Sequence, residues 1–352
     1  MRSTILEAIQ EALRGRAGAS ARVTEMLMRG RVKDVREALG SDVFDSLTLD
    51  VAHKAALKGY TYWPRQWQYV AKPMSVADFK AQYRISGTEL ADLAEVPANS
   101  PYKEVAMTDA QASYSVKKYG GVFSVSLEAT LNDDLRILGQ VAEKWGRAAA
   151  RTIDRFVLDT NLNDNPTITI EGTAAALAST TFANNVTGAL TPTPENVSKG
   201  VSKMLLQTAQ APEAGATKAE LFLMPRTLLC HPDNWVLAQQ TTKSALIVMG
   251  VTGTEAASVV ATRGQDNPIR DFNLVPVVTP FISTTGEFWL LADPMNVDMF
   301  EIGFLNGRQE PELFREAPNS GYEFSHDAVR VKSRIIFGGA WLNFRGVVRC
   351  TT

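Results

Sequence analysis

Three histidines, His53, His231 and His326, and two cysteines, Cys230 and Cys350, are the residues best suited to nucleophilic or metal chemistry in this sequence. The histidines are not spaced as a metal-binding pair. Cys230 and His231 are adjacent, so on a strand or a helix their side chains point apart, which is poor geometry for a thiol–imidazole dyad. A plain buried thiol is the stronger reading of each cysteine. Asp159, Asn161 and Asn163 match the opening of a calcium loop. Asp164 stands where that loop needs glycine, however, and Ile170 stands where it needs a bidentate Glu. The run reads instead as chemistry at a helix C-terminus. No GxGxxG follows a strand, and neither GxxxxGK[ST] nor GxSxG occurs. Nothing in the sequence brings two carboxylates together in a cleft. No catalytic, metal or cofactor residue is therefore assigned, and the chain is read as a non-enzyme without a cofactor.

Elements that would position side chains are easier to find than a site. The longest periodic stretch runs from Ser126 to Leu162. Leu127, Leu131, Leu135, Leu138, Ala142, Trp145, Ala149, Ile153 and Phe156 fall at steps of three and four, one face of an α-helix. Asp133 and Asp134 near its start and Arg147, Arg151 and Arg155 toward its end complement the helix dipole. Pro166 stops it. Such a helix is about 50 Å long at about 1.5 Å per residue, roughly three times the usual length.

The chain has 352 residues, with 36 basic and 38 acidic side chains. That length predicts two domains or one elongated one. The near balance of charge argues against a dedicated nucleic-acid binder. No apolar run reaches the length of a membrane span, so no membrane partner is expected. The first sixteen residues lack the continuous apolar core of a secretory signal. Two cysteines far apart suit a reducing compartment with free thiols, and a single long-range disulfide is also compatible with them.

Residues 1–58 read as short helices broken by Gly15, Gly18, Gly30 and Gly40, a solvated or partner-covered arm. Residues 60–74 are dense in aromatics, with Trp63, Arg65 and Trp67 at their centre, and are broken by Pro64 and Pro73. They predict an extended arm anchored on a neighbouring subunit, where Trp, Tyr and Arg are enriched; base stacking is the weaker alternative. Residues 79–127 read as a long hairpin. Phe79, Ala81, Tyr83 and Ile85 alternate on one strand, and Tyr114, Val116, Phe123, Val125 and Leu127 on the other. Between them lies an acidic segment with Glu89, Asp92, Glu95 and Glu104, and also Lys103, a composition suited to an interaction arm.

After the helix, Thr167–Ile170 predicts a small ribbon, and Thr193-Pro194 a helix start with Thr as cap. Leu221–Met224, Asn273–Pro280 and Phe288–Ala292 read as strands, and His231-Pro232-Asp233 opens another helix. The alternation predicts an α/β domain. Val329 to Ile335 alternates apolar and basic residues, as on a sheet with one buried face, and the long helix is the cover expected for it.

The C-terminal third carries a resemblance. Phe304-Leu305-Asn306-Gly307, Glu310-Pro311, Val331-Lys332-Ser333-Arg334, Phe337-Gly338-Gly339-Ala340 and Phe344-Arg345-Gly346 resemble the end of major capsid proteins of tailed bacteriophages, especially the Mu-like prophage head subunits. With the order of elements upstream, the resemblance covers about residues 60–352.

It implies an α+β fold: N-terminal arm (1–78), extended β-hairpin arm (79–127), spine helix with part of a peripheral domain (128–192), axial domain (193–292), and C-terminal strands completing the peripheral domain (293–352). It implies a structural subunit forming hexamers and pentamers in an icosahedral head around double-stranded DNA, assembled in the bacterial host cytoplasm. Scaffold, prohead protease and portal proteins would be its partners, and DNA contact would be non-specific. The alternative on the same fold is an encapsulin-like shell around an enzyme cargo. Candidate intersubunit contacts are Trp63, Arg65, Trp67, Glu89, Asp92, Glu95, Lys103, Glu104, Arg147, Arg151 and Arg155. Some relatives crosslink Lys to Asn between subunits; Lys103 and Asn343 read here as an exposed Lys and a turn Asn. Residues 1–58 are either a retained arm or a removable segment.

Overall fold

The computed structural model describes residues 41–87, 95–96, 109–170, 172–209, 218–248, 264–316 and 328–351. In chain order the main elements begin with helix α1 (Ser41–Tyr62) and strands β1 (Ala71–Val76), β2 (Gln82–Gly87), β3 (Asp109–Tyr114) and β4 (Lys117–Ser126). Helix α2 (Leu127–Asp154) follows and passes into a π-helix, Arg155–Asn163. Then come β5 (Thr167–Ile170), β6 (Thr173–Ala176), β7 (Asn185–Thr187), α3 (Pro194–Leu205), β8 (Pro225–Cys230) and α4 (Trp235–Lys243). The chain ends with β9 (Leu246–Val248), β10 (Gly264–Asp266), β11 (Val275–Val278), β12 (Phe288–Ala292), β13 (Phe300–Leu305), β14 (Glu312–Arg315), β15 (Ala328–Trp341) and β16 (Val347–Thr351).

Two compact units emerge. The first comprises the described parts of Met1–Arg65, Lys117–Thr152 and Arg308–Phe337; the second takes those of Gln66–Val116, Ile153–Gly307 and Gly338–Thr352.

In the first unit β15 lies between β14 and β4, antiparallel to both. Glu312 sits directly opposite Arg334, which donates to it through Nη2 (2.7 Å) and Nε (3.2 Å), and Arg308 joins the same carboxylate. The Arg334 hydrogen bonds, outweighing burial, hold the Glu312 carboxyl below its ordinary pKa. Two helices cross here backbone to backbone. A Cβ on Gly59 would lie 2.0 Å from the Glu143 carbonyl oxygen, and one on Gly146 1.9 Å from that of Ala56. Only glycine admits this approach, which lets Ala56 and Ala142 pack with Leu313. Trp145 meets Phe123 edge-on at 6.2 Å.

The second unit is built on a five-stranded sheet of order β11-β8-β12-β16-β7. Every residue of the central strand β12 is buried, as a strand covered on both faces requires. Helix α3 lies against it with Gly200 over Leu290 and the Cys350 sulfur. Thr193 caps that helix, its Oγ1 accepting from Asn196 N at 3.3 Å. Cys230 and Cys350 both pair with Phe288, from opposite sides of β12. Two strand spacings, about 10 Å, separate them, too far for a disulfide, and both are free and buried. In the same unit β1 runs parallel to β13, and β2 with β3 and β5 with β6 form two-stranded ribbons.

Four expectations are corrected. The aromatic segment is no extended arm: Tyr60 and Tyr62 end α1, Trp67 is 0% exposed, and residues 71–76 are a sheet strand. Trp67 N donates to the buried Asp154 carboxylate at 2.8 Å, and its ring meets Phe304 at 5.6 Å, so core burial outweighs any intersubunit use. The hairpin is shorter than the alternation suggests. It ends at Tyr114, and Lys117–Ser126 pairs instead with β15 over ten positions, a longer ladder helped by Tyr119 stacking on Phe337 at 4.4 Å. The long helix changes register at Arg155, where Asn161 Nδ2 bonds the Phe156 carbonyl at 2.6 Å. Finally, the strand expected at Leu221–Met224 begins at Pro225; Phe222 has φ of 47°, which no strand tolerates.

Candidate assembly surface

The described base of the hairpin arm is a ribbon with inverted chemistry. On β2 the odd positions Tyr83 and Ile85 face outward, 64% and 69% exposed, while Gln82 and Arg84 face inward. Their cross-strand partners, Ser113 and Gln111, are exposed as well. An antiparallel ribbon on a core normally buries its apolar face. Here the inner face is held by a polar knot instead. Glu301, buried on β13, accepts from Arg84 Nε at 2.6 Å and from the Tyr114 hydroxyl. Gly303, two residues along, leaves room for the Tyr114 ring: a Cβ there would lie 2.7 Å from its hydroxyl oxygen.

Charge neutralisation makes this burial tolerable. The Glu301 hydrogen bond raises the Arg84 pKa, so the guanidinium stays charged. Burial first, and then the bond to Glu301, pushes the Tyr114 hydroxyl up, so it remains a neutral donor. Gln82 Nε2 ties the start of the ribbon to Asp78 at 2.7 Å. The arm is thus rooted by directional bonds, and its apolar side chains are left to the outside.

The other sequence-derived candidates are scattered. Trp63 and Arg65 are half-buried, Arg65 lying over the Tyr60 ring at 5.8 Å. Arg147 pairs with Glu143 at 3.9 Å and lies over Tyr62 at 5.9 Å. Arg151 is exposed, and Arg155, also exposed, reaches Asp159 at 3.8 Å and the Phe281 ring at 6.0 Å. Glu95 is exposed. Glu89, Asp92, Lys103 and Glu104 lie outside the described residues. Asn343 is engaged locally, its Oδ1 accepting from Arg345 N at 3.1 Å. Asn163, part of the calcium-like run, bonds Ser283 N at 3.1 Å, and no metal-competent cluster occurs among the described residues.

Sequence reasoning missed Tyr83 and Ile85 as surface residues. The signal was present in their alternation with Gln82 and Arg84, but the direction of the ribbon depends on Glu301, more than two hundred residues away.

A rooted arm ribbon, a long helix and two mixed α+β units together define the tailed-phage major-capsid fold. Two solved phage capsid structures share it. A cyanophage P-SCSP1u capsid is similar with a TM-score of 0.50 at 12% identity, over 80% of this chain and 86% of that one. A cyanophage Pam1 capsid subunit matches with 0.50 at 11% identity, over 83% and 91%. The SrpI encapsulin of Synechococcus elongatus gives 0.48 at 12% identity, over 83% and 88%. No protein of curated function matches the sequence. The sequence model of a phage capsid protein family matches residues 109–350, and the chain belongs to that family. It is a structural capsid protein of the virion.

Proposed function

We propose that this chain self-assembles as hexamers and pentamers into an icosahedral phage head enclosing double-stranded DNA. The match of residues 109–350 to the capsid family carries this reading, and the outward apolar face of the β2–β3 ribbon supports it. That face suits a second copy of the chain, because an apolar stripe on a polar-rooted arm gains only by being covered. Each contact is weak, and many repeated contacts close the shell by symmetry. Trp63, Arg65, Glu89, Asp92, Glu95, Lys103, Glu104, Arg147, Arg151 and Arg155 are proposed as further intersubunit contacts. Assembly takes place in the host cytoplasm with scaffold, prohead protease and portal proteins, and the packaged DNA touches the shell non-specifically.

Negative-stain electron microscopy of the expressed chain tests the reading. Shells, tubes or capsomer rings are the expected result. A strict monomer at every concentration, with scaffold supplied, overturns it. Small uniform cages that co-purify with an enzyme cargo would replace it with a nanocompartment shell.

A further inference from the structure

Strand β13 ends at Leu305, and the next two residues, Asn306 and Gly307, both have positive φ, 54° and 70°. They form the only Asn-Gly pair in the chain. Both are exposed. The turn is held through its backbone: Asn306 N donates to the Val76 carbonyl at 2.7 Å, and Gly307 N to the Phe304 carbonyl at 3.1 Å. The Asn306 side chain has no hydrogen-bond partner among the described residues. Asparagines elsewhere in the same unit are tethered. The side-chain amides of Asn165, Asn184, Asn196, Asn234 and Asn267 each donate to a backbone carbonyl at 2.7–3.0 Å. Each of these five is also followed by a residue that carries a Cβ.

The side-chain amide carbon of asparagine is an electrophile within reach of the next residue's backbone nitrogen. Glycine leaves that nitrogen unshielded and its peptide free to rotate. We propose that Asn306-Gly307 is a self-modification site, which loses ammonia through a succinimide. Gly307 N gives up its proton and bonds to Asn306 Cγ, the Cγ–Nδ2 bond breaks, and Nδ2 leaves as ammonia with that proton. Water then opens the ring. Cleavage at Cγ gives an ordinary aspartyl residue; cleavage at the backbone carbonyl gives an isoaspartyl one. Either product adds one negative charge, and the second also adds one carbon atom to the main chain. That carbon enlarges the ring closed by the bond from Gly307 N to Phe304 O, so the turn loosens. The same bond must open before Gly307 N can attack, which slows the reaction by up to about tenfold.

Timed incubation of the full chain in mildly alkaline buffer, native and in urea, tests it. Mass spectrometry follows the tryptic peptide that ends at Arg308, and enzymatic methylation of isoaspartate gives a second readout. Position 306 should convert in the native chain within about tenfold of its rate in urea. The rate should rise with pH, isoaspartate should appear, and the five tethered asparagines should stay intact in the native chain. Asn306→Gln should remove the conversion, and the comparison of native with unfolded wild type stands without that variant. Native conversion slower than about tenfold below the unfolded rate, or equal conversion at the tethered asparagines, overturns the proposal. Microscopy reads shell formation independently, so a failure here leaves the assembly reading standing.

Discussion

Strands β12 and β2 belong to the same unit and follow opposite rules. Phe288–Ala292 is buried at every residue and held by dispersion and the hydrophobic effect. Gln82–Gly87 turns Tyr83 and Ile85 to solvent, and its inner face is anchored by the buried Glu301 carboxylate of β13. Non-directional burial suits a strand whose place must never change. Directional bonds suit an arm whose outer face has to stay available. The contrast separates what folds the subunit from the face proposed to join subunits.

The strongest way to break the comparison is in the sheet. Phe288→Ala should cost about 3–5 kcal/mol, because a fully buried ring leaves a cavity between α3 and the flanking strands. Urea denaturation followed by circular dichroism reads it, and a loss under about 1 kcal/mol would show that β12 is not the keystone of its unit. Glu301→Gln should cost about 2–3 kcal/mol, because it leaves Arg84 without its counter-charge. The loss should appear as faster amide exchange at residues 82–87 and 109–114, with the sheet amides unchanged. Uniform acceleration across the unit would mean that the knot belongs to the core.

The thiols sharpen the contrast through pH. Burial pushes Cys230 up to about 11 and Cys350 up to about 12, from an ordinary value of 9.0. A folded pKa above the unfolded one contributes stability that is complete below the unfolded value and is lost as pH rises through the folded value. The sheet should therefore hold its stability to about pH 8.5 and weaken progressively above it, as urea titrations across pH would show. Both thiols should resist iodoacetamide at neutral pH in the native chain and react in Phe288→Ala. In the first unit the sign reverses. Glu312, depressed by Arg334, contributes stability above 4.5 that falls away as the solution is acidified through its lower folded value. Glu312→Gln should flatten that acid limb.

The smallest effect on folding is expected at the ribbon's outer face. Tyr83→Ser/Ile85→Ser should change subunit stability by less than about 0.5 kcal/mol, because neither side chain is packed. Sedimentation velocity should nevertheless show fewer or smaller assemblies. Assembly equal to wild type would leave this face without a partner.

Much of the scaffold was legible because its signals are local. Thr193-Pro194 announced α3, and the unbroken apolar run Phe288–Ala292 announced β12 with its observed bounds. Positions Ala142, Trp145, Ala149 and Ile153 of the long helix are buried or half-buried as their spacing implies. What misled was equally local. An aromatic cluster broken by prolines looks the same whether it reaches for a neighbour or folds back, and Trp67 folds back onto Phe304 and Asp154. Strand alternation at Phe123 names a buried face without naming the partner strand, which turned out to be β15.

By itself the sequence determined the long helix, the strand-rich C-terminus, the lack of a recognisable catalytic constellation and the resemblance to phage head subunits, because periodicity and ordered motifs are written along the chain. Only the tertiary structure decided which way the arm ribbon faces, that Trp67 belongs to a core, and that the turn at Asn306 is tied to Val76. Each of those depends on contacts between residues far apart in sequence, where a single buried carboxylate such as Glu301 can invert the burial that local alternation predicts.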